Sequence, residues 1–291
     1  MNKKILFLII LFVSRFAQSQ EVTWDLTFDN VYNLPTVIME FQGEKIPLIL
    51  DTGSKIDLHL PMALINKIPN KTENSKKIKY IDLSGNTEEA RSFIVDKLAL
   101  DSLIFNNVQV LEYKSWGLFM LNDRTKTDHD KEEINAEKSL IGLGLFKDYV
   151  LTINYPENKI TISDDIKVSD DLNKNWFSVP FYLNNYGLVI NLFDGSKNYE
   201  MILDTGASVS IIKEESLSPS SSKISLPKYN VRYTPLEMTD AASVKVEAII
   251  MDSLPDKFKS DGIIGSNFFR TNIVKIDFRN KQMWVQPVVT E

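Results

Sequence analysis

The pentapeptide Ile-Leu-Asp-Thr-Gly occurs twice in this chain, at residues 49–53 and 202–206. Each copy ends an apolar run on a carboxylate followed by a glycine, the pattern of a strand leading into a turn. Placing an acid there twice, in matching surroundings, divides the chain into two halves of similar build. Before the first copy stands PTVIMEFQGEKIPLIL, and before the second YGLVINLFDGSKNYEMIL. Each reads as an apolar strand, a polar turn holding Gly43 or Gly195, and a second strand that runs into the Asp. Downstream comes a second matching pair, LIGLGLFKDYVLTINYPENKITI from Leu140 and IIGSNFFRTNIVKIDFRNKQMWV from Ile263. It aligns Gly142 with Gly265, Phe146 with Phe269 and Asn154 with Asp277.

The rest reads mostly as short strands. Residues 91–113 alternate, are rich in Val, Ile, Leu and Phe, and read as a hairpin with Asn106-Asn107 as its turn. Helical patterning is weak: residues 62–68 and 213–217 read as single turns. The first half carries extra sequence between its Asp and its Gly, including the polar stretch 122–138. Residues 164–175 are polar, acidic and unpatterned, and mark a boundary. The expected organisation is a leader at 1–19, an N-terminal lobe at 20–165, a linker at 166–175 and a C-terminal lobe at 176–291.

The leader has a short positive start, MNKK, then the apolar run ILFLIILFV, then small residues at Ala17 and Ser19. That is the layout of a secretory signal peptide. Its apolar run covers about half of the ~20 residues needed to span a bilayer, and no later stretch is long and apolar enough. The expectation is an exported protein, periplasmic or extracellular, with no membrane span in the mature chain. The 291 residues include no Cys, which closes disulfides, thiolate metal sites and a lipid anchor on cysteine. A net charge of −6, more negative still without Lys3, Lys4 and Arg15, makes nucleic acid and anionic membranes poor partners. The two histidines, His59 and His129, have no clustered partners in the sequence. Neither a metal site nor a Ser-His-Asp triad is expected, and no phosphate-cradling Gly loop is present.

Across residues 35–285 the doubled Asp-Thr-Gly and its downstream Ile-Gly partners resemble the two-lobed aspartic proteases of the pepsin and retropepsin clan. DGIIGSNFFRTNIVKIDF in the second half is similar to bacterial retropepsin-like aspartyl proteases. The resemblance implies an all-β fold of two similar β-barrel-like lobes with the active site between them. It implies Asp51 and Asp204 as the catalytic dyad, hydrolysing polypeptide substrates through an activated water without a metal or other cofactor. It further implies that Thr52 and Thr205 bond across the interface and that Gly53 and Gly206 let their amides approach the carboxylates. Ile141-Gly142 and Ile264-Gly265 would pass beneath the two loops. A monomer with internal pseudo-twofold symmetry is expected.

The fourth position differs between the copies, Ser54 against Ala207. Pepsin-like relatives usually carry a hydroxyl there that donates to the outer carboxylate oxygen, and retroviral relatives carry Ala. A donor favours the charged form, so Asp51 is expected to be the more acidic member and Asp204 the less acid-shifted one, with activity in mildly acidic to near-neutral conditions. The flap candidate is the stretch 78–95, with Gly85 near its tip and Tyr80 facing the cleft; a second hairpin at 236–244 is an equal candidate. The rival expectation is a catalytically inactive peptide-binding protein that keeps the fold.

Overall fold

The computed structural model describes residues 21–29, 32–81, 87–114, 138–164, 175–239, 241–252, 254 and 258–288. The leader, most of the polar stretch 122–138 and nearly all of the expected linker 166–175 lie outside the described residues.

Alternation decides the strands. In Pro35–Phe41 the residues Val37, Met39 and Phe41 are buried, and in Glu44–Asp51 so are Ile46, Leu48 and Leu50. Every second side chain of a strand faces the same side, so each strand offers one apolar face to the core. The two are joined by the two-residue loop Gln42-Gly43, both at positive φ (51° and 83°), the backbone that suits the twist of a tight hairpin. The second half repeats the device with Gly187–Phe193 and Asn198–Leu203. There Asp194 closes the turn by accepting the N–H groups of Ser196 and Lys197 (2.9 and 2.8 Å).

In both halves a later strand returns beside the strand that carries the Asp. Leu140–Gly142 runs parallel to it, with Leu140, Ile141 and Gly142 opposite Ile49, Leu50 and Asp51. Gly262–Ile264 runs parallel to Met201, Ile202 and Leu203. The halves then join through main-chain pairing. Val150–Asn154 lies antiparallel to Asn272–Asp277, with Leu151 opposite Ile276 and Ile153 opposite Val274. This seam makes one sheet of 13 strands that starts in the second half and continues through the first, while the rest of the second half forms an 8-stranded sheet. Aromatic rings fill the space under the seam: Phe28 meets Tyr155 at 4.9 Å and Tyr155 meets Phe269 at 5.3 Å between ring centres. One apolar cluster therefore contains residues of both halves. The fold is all-β with two lobes, as the sequence pattern led one to expect.

One turn differs from the sequence reading. The hairpin at 91–113 turns at Asp101-Ser102, with Leu100 opposite Leu103 and Asp101 at φ 53°. Asn106 and Asn107 stay inside the strand Leu103–Glu112. Both are exposed, Asn106 opposite the equally exposed Lys97, and the buried face switches there from Phe105 to Val108. The asparagines mark a step in the strand rather than its end. The short helical pieces fall where expected, at Met62–Lys67 and Glu214–Ser216. No helix among the described residues is long and apolar enough to cross a membrane.

Phe269 is fully buried and spans the seam by its contact with Tyr155. Phe269→Ala is expected to cost about 3–5 kcal/mol, read as a lower urea midpoint with an unchanged far-UV spectrum.

Candidate active site

Each Asp stands where its strand ends. The strand fixes the backbone, and the parallel neighbour closes the loop from below. The glycines of that neighbour are required by space. A Cβ on Gly142 would lie 2.0 Å from the carbonyl oxygen of Ile56, and one on Gly265 would lie 2.4 Å from that of Val209. Residues 141–142 and 264–265 run against the two loops.

The loops are cross-tied by their threonines. Thr52 Oγ1 donates to the carbonyl of Leu203 (2.9 Å) and accepts the N–H of Thr205 (2.9 Å). Thr205 Oγ1 donates to the carbonyl of Leu50 (2.7 Å) and accepts the N–H of Thr52 (3.0 Å). Both side chains are wholly buried, so four bonds are made in the absence of competing water, where each counts most.

This cross-tie sets the two carboxyl groups against one another. A Cβ on Gly206 would lie 2.9 Å from Asp51 Oδ1 and 3.0 Å from Asp204 Oδ1, and a Cβ on Gly53 would lie 2.6 Å from Asp204 Cγ. Glycine at both positions is therefore a steric requirement of the pair. It also brings amides to the acids: Gly53 N–H donates to Asp51 Oδ1 (3.0 Å) and Gly206 N–H to Asp204 Oδ1 (2.7 Å). Asp51 is buried, and Asp204 is partly exposed.

Burial, the largest cause, raises both acids above the ordinary carboxylate range, and the neighbouring charge and hydrogen bond of Asp204 add to the rise of Asp51. Asp204 is held lower by the amides of Gly206, Gly53 and Ala207 and by the bond from Asp51. Asp51 is therefore the more strongly raised member of a pair that titrates as a unit, the behaviour expected of two close carboxyls that cannot both ionise. This reverses the expected order, in which Ser54 would have made Asp51 the more acidic member. The physical reason is visible in the loop. Ser54 Oγ sits 2.7 Å from His59 Nε2 and accepts the N–H of Ile56 (3.2 Å). No hydrogen bond joins the hydroxyl to Asp51.

Other supports escaped the sequence reading. Asp57 and Ser210 occupy equivalent places after the two Asp-Thr-Gly turns. Asp57 Oδ2 accepts Gln109 N–H (2.7 Å), while Ser210 Oγ donates to Asn267 Oδ1 (2.8 Å) and accepts Gly265 N–H (3.0 Å). Lys55 Nζ donates to the carbonyl of Asn184 (2.7 Å), and its counterpart Ser208 Oγ donates to that of Tyr32 (2.6 Å). Each loop therefore also grips a turn of the opposite lobe. The first flap candidate forms a two-stranded hairpin, Ile78–Ile81 with Thr87–Ala90, with Tyr80 opposite Glu88; Gly85 lies outside the described residues. The second, Val231–Met238 with Ala241–Met251, is a longer hairpin in the large sheet of its lobe. Among the described residues no group of three or more His, Asp or Glu is placed to hold a metal ion.

No known family description matches the chain, and no curated protein matches its sequence. Solved structures do match its fold. Basic 7S globulin from soybean superposes with a TM-score of 0.57 at 9% identity, over 92% of this chain and 95% of that one. The aspartic proteinase from Irpex lacteus does so with a TM-score of 0.52 at 14% identity, over 92% and 98%. The chain has the pepsin-like aspartic protease fold.

Thr52→Val removes the hydroxyl from the cross-tie and strands the Leu203 carbonyl and the Thr205 amide in the interior. It is expected to destabilise by about 1–3 kcal/mol for each stranded group, measured by chemical denaturation. Asp51→Asn should do the opposite. An acid whose pKa rises on folding stabilises least at high pH, because folding then opposes its ionisation. The variant should gain on the parent as pH rises from the ordinary aspartate value of about 3.9 towards the raised value, and the gap should close below the ordinary value; melting temperatures across that range give the comparison.

Proposed function

We propose that the protein is an aspartic endopeptidase, exported by its leader, and of the bacterial retropepsin-like kind. One observation supports the reading: two carboxyl groups on cross-tied loops of the two lobes stand together against Gly206, close enough for the charge of Asp204 to raise Asp51. Such a pair presents a base and an acid at one point. Asp204, ionised, takes a proton from a water held by the pair as that water attacks the peptide carbonyl. Asp51, protonated, donates to the carbonyl oxygen. A proton then passes to the leaving nitrogen. The path needs no covalent intermediate and no nucleophilic side chain. The substrate is a polypeptide bound in the cleft between the lobes, the hairpin that carries Tyr80 serves as the flap, and the chain works as a monomer.

A second reading is a peptide-binding protein that retains the fold without turnover. It is favoured by one fact: the fold is shared with a protein named a globulin as well as with one named an aspartic proteinase.

Incubating the purified chain with a mixed peptide library, beside Asp51→Asn and Asp204→Asn variants, separates the two. The enzyme predicts cleavage that falls by on the order of 10²–10⁴-fold or more in either variant. Peptide capture without turnover by the parent supports the binder. The pH profile follows from the two raised acids. Asp204 must be ionised, so the acid limb lies above the ordinary aspartate value of about 3.9. Asp51 must be protonated, so activity survives into weak acid and falls once pH passes its own raised value. An optimum below pH 3 would refute this assignment.

A further inference from the structure

His59 contacts the turn that carries Asp51 through the Ser54 hydroxyl. It sits in the short strand Leu58–Leu60, between Leu140 of one neighbouring strand and Leu111 of the other. It is 8% exposed. Its Nε2 approaches Ser54 Oγ at 2.7 Å, and Ser54 belongs to the turn that carries Asp51. The second lobe has no such pair, since Ala207 replaces Ser54 and the apolar Ile212 stands where His59 does.

We infer that His59 is a positioning residue that withdraws the Ser54 hydroxyl from Asp51. The hydroxyl has one proton to give. Its oxygen already accepts the N–H of Ile56, and a neutral imidazole offers one acceptor nitrogen. Burial keeps the imidazole neutral down to about pH 4, so through weak acid and neutral pH the tautomer with its proton on Nδ1 presents Nε2 as the acceptor, 2.7 Å from the Ser54 hydroxyl. Asp51 is left with the amides of Gly53 and Ser54 and its bond with Asp204. In hydroxyl supply the first loop then behaves as though it carried alanine, as the second does. Without a hydroxyl donor the ionised form of Asp51 loses support, and the proton stays on Asp51 up to higher pH. The inference rests on the dyad reading above and adds to it the group that sets the working pH.

The other charged and titratable groups nearby are engaged elsewhere. Asp204 faces Asp51 directly and is common to every comparison below. Tyr155, near Asp204, is buried and neutral. Asp57 is turned to the Gln109 amide with Lys147 at 3.8 Å. Lys55 is turned to Asn184. Glu112, on the strand beside His59, pairs with Lys114 at 2.7 Å and accepts the amide of Arg91.

The test compares the parent chain with His59→Leu, His59→Gln and the double variant His59→Leu/Ser54→Ala. Two readouts are taken: the pH profile of peptide cleavage, and the pH dependence of melting temperature relative to the matching Asp51→Asn chain. His59→Leu frees the hydroxyl to donate to Asp51. Both curves should move to lower pH by about one unit, the size of one hydrogen bond to a charged group. The double variant should move back to the parent position, because the freed donor is gone. His59→Gln, whose amide can still hold the hydroxyl, should stay with the parent. A loss of packing alone would lower stability at every pH without moving the curves, and would leave single and double variants alike. The inference is overturned if His59→Leu leaves the curves in place, or if the double variant stays shifted with the single one. If the parent cleaves nothing, the melting curves still read the dyad, so failure of the protease reading and failure of this inference are told apart.

Discussion

Four hydrogen bonds between two threonines and two facing turns determine where both carboxylates stand. Each Asp is aimed by its own strand and propped by its own downstream glycine, but neither device knows about the other lobe. The reciprocal bonds of Thr52 and Thr205 supply that information. They are buried, and every donor in the set has its acceptor, so displacing one loop would strand polar groups away from water. From that fixed distance the electrostatics follow: two acids in one small space hold one proton.

Much of this was legible in the sequence because it is local and written twice. The hairpins before each Asp, the Asp-Thr-Gly turns and the glycines at 142 and 265 are short-range patterns, and duplication separates them from chance. The His59–Ser54 bond was not legible. It joins residues five apart in sequence and depends on how the turn curls after the Asp, which no periodicity reports. The cross-lobe ties of Lys55 and Ser208 were hidden for a related reason: they end on backbone carbonyls, and a carbonyl leaves no mark in the sequence. Asn106-Asn107 misled because turn-forming residues also serve where a strand steps from one buried face to the other. The register of Phe105 and Val108 overrides the local preference there.

The dyad also shows how a repeated motif yields unequal partners. The two Asp-Thr-Gly turns are alike in sequence, yet Asp204 gathers more amide donors and is raised less than Asp51. The difference at the fourth position was expected to work the other way. The serine hydroxyl lies against an imidazole, 2.7 Å from His59 Nε2. The same fold occurs in proteins only 9% and 14% identical to this one. In this chain the glycines and threonines of the two turns hold the frame, while neighbouring amides and side chains tune the charge inside it.

The seam between Val150–Asn154 and Asn272–Asp277 makes the two lobes mutually dependent. Separated, each would present a naked row of unmet amides and carbonyls along that border, an open template for sticking to other chains. Each would also keep one acid and lose the neighbour that gives it meaning. Although the chain reads as one unit written twice, neither copy can be spent alone: dividing the gene would yield two adhesive fragments rather than two smaller versions of the whole.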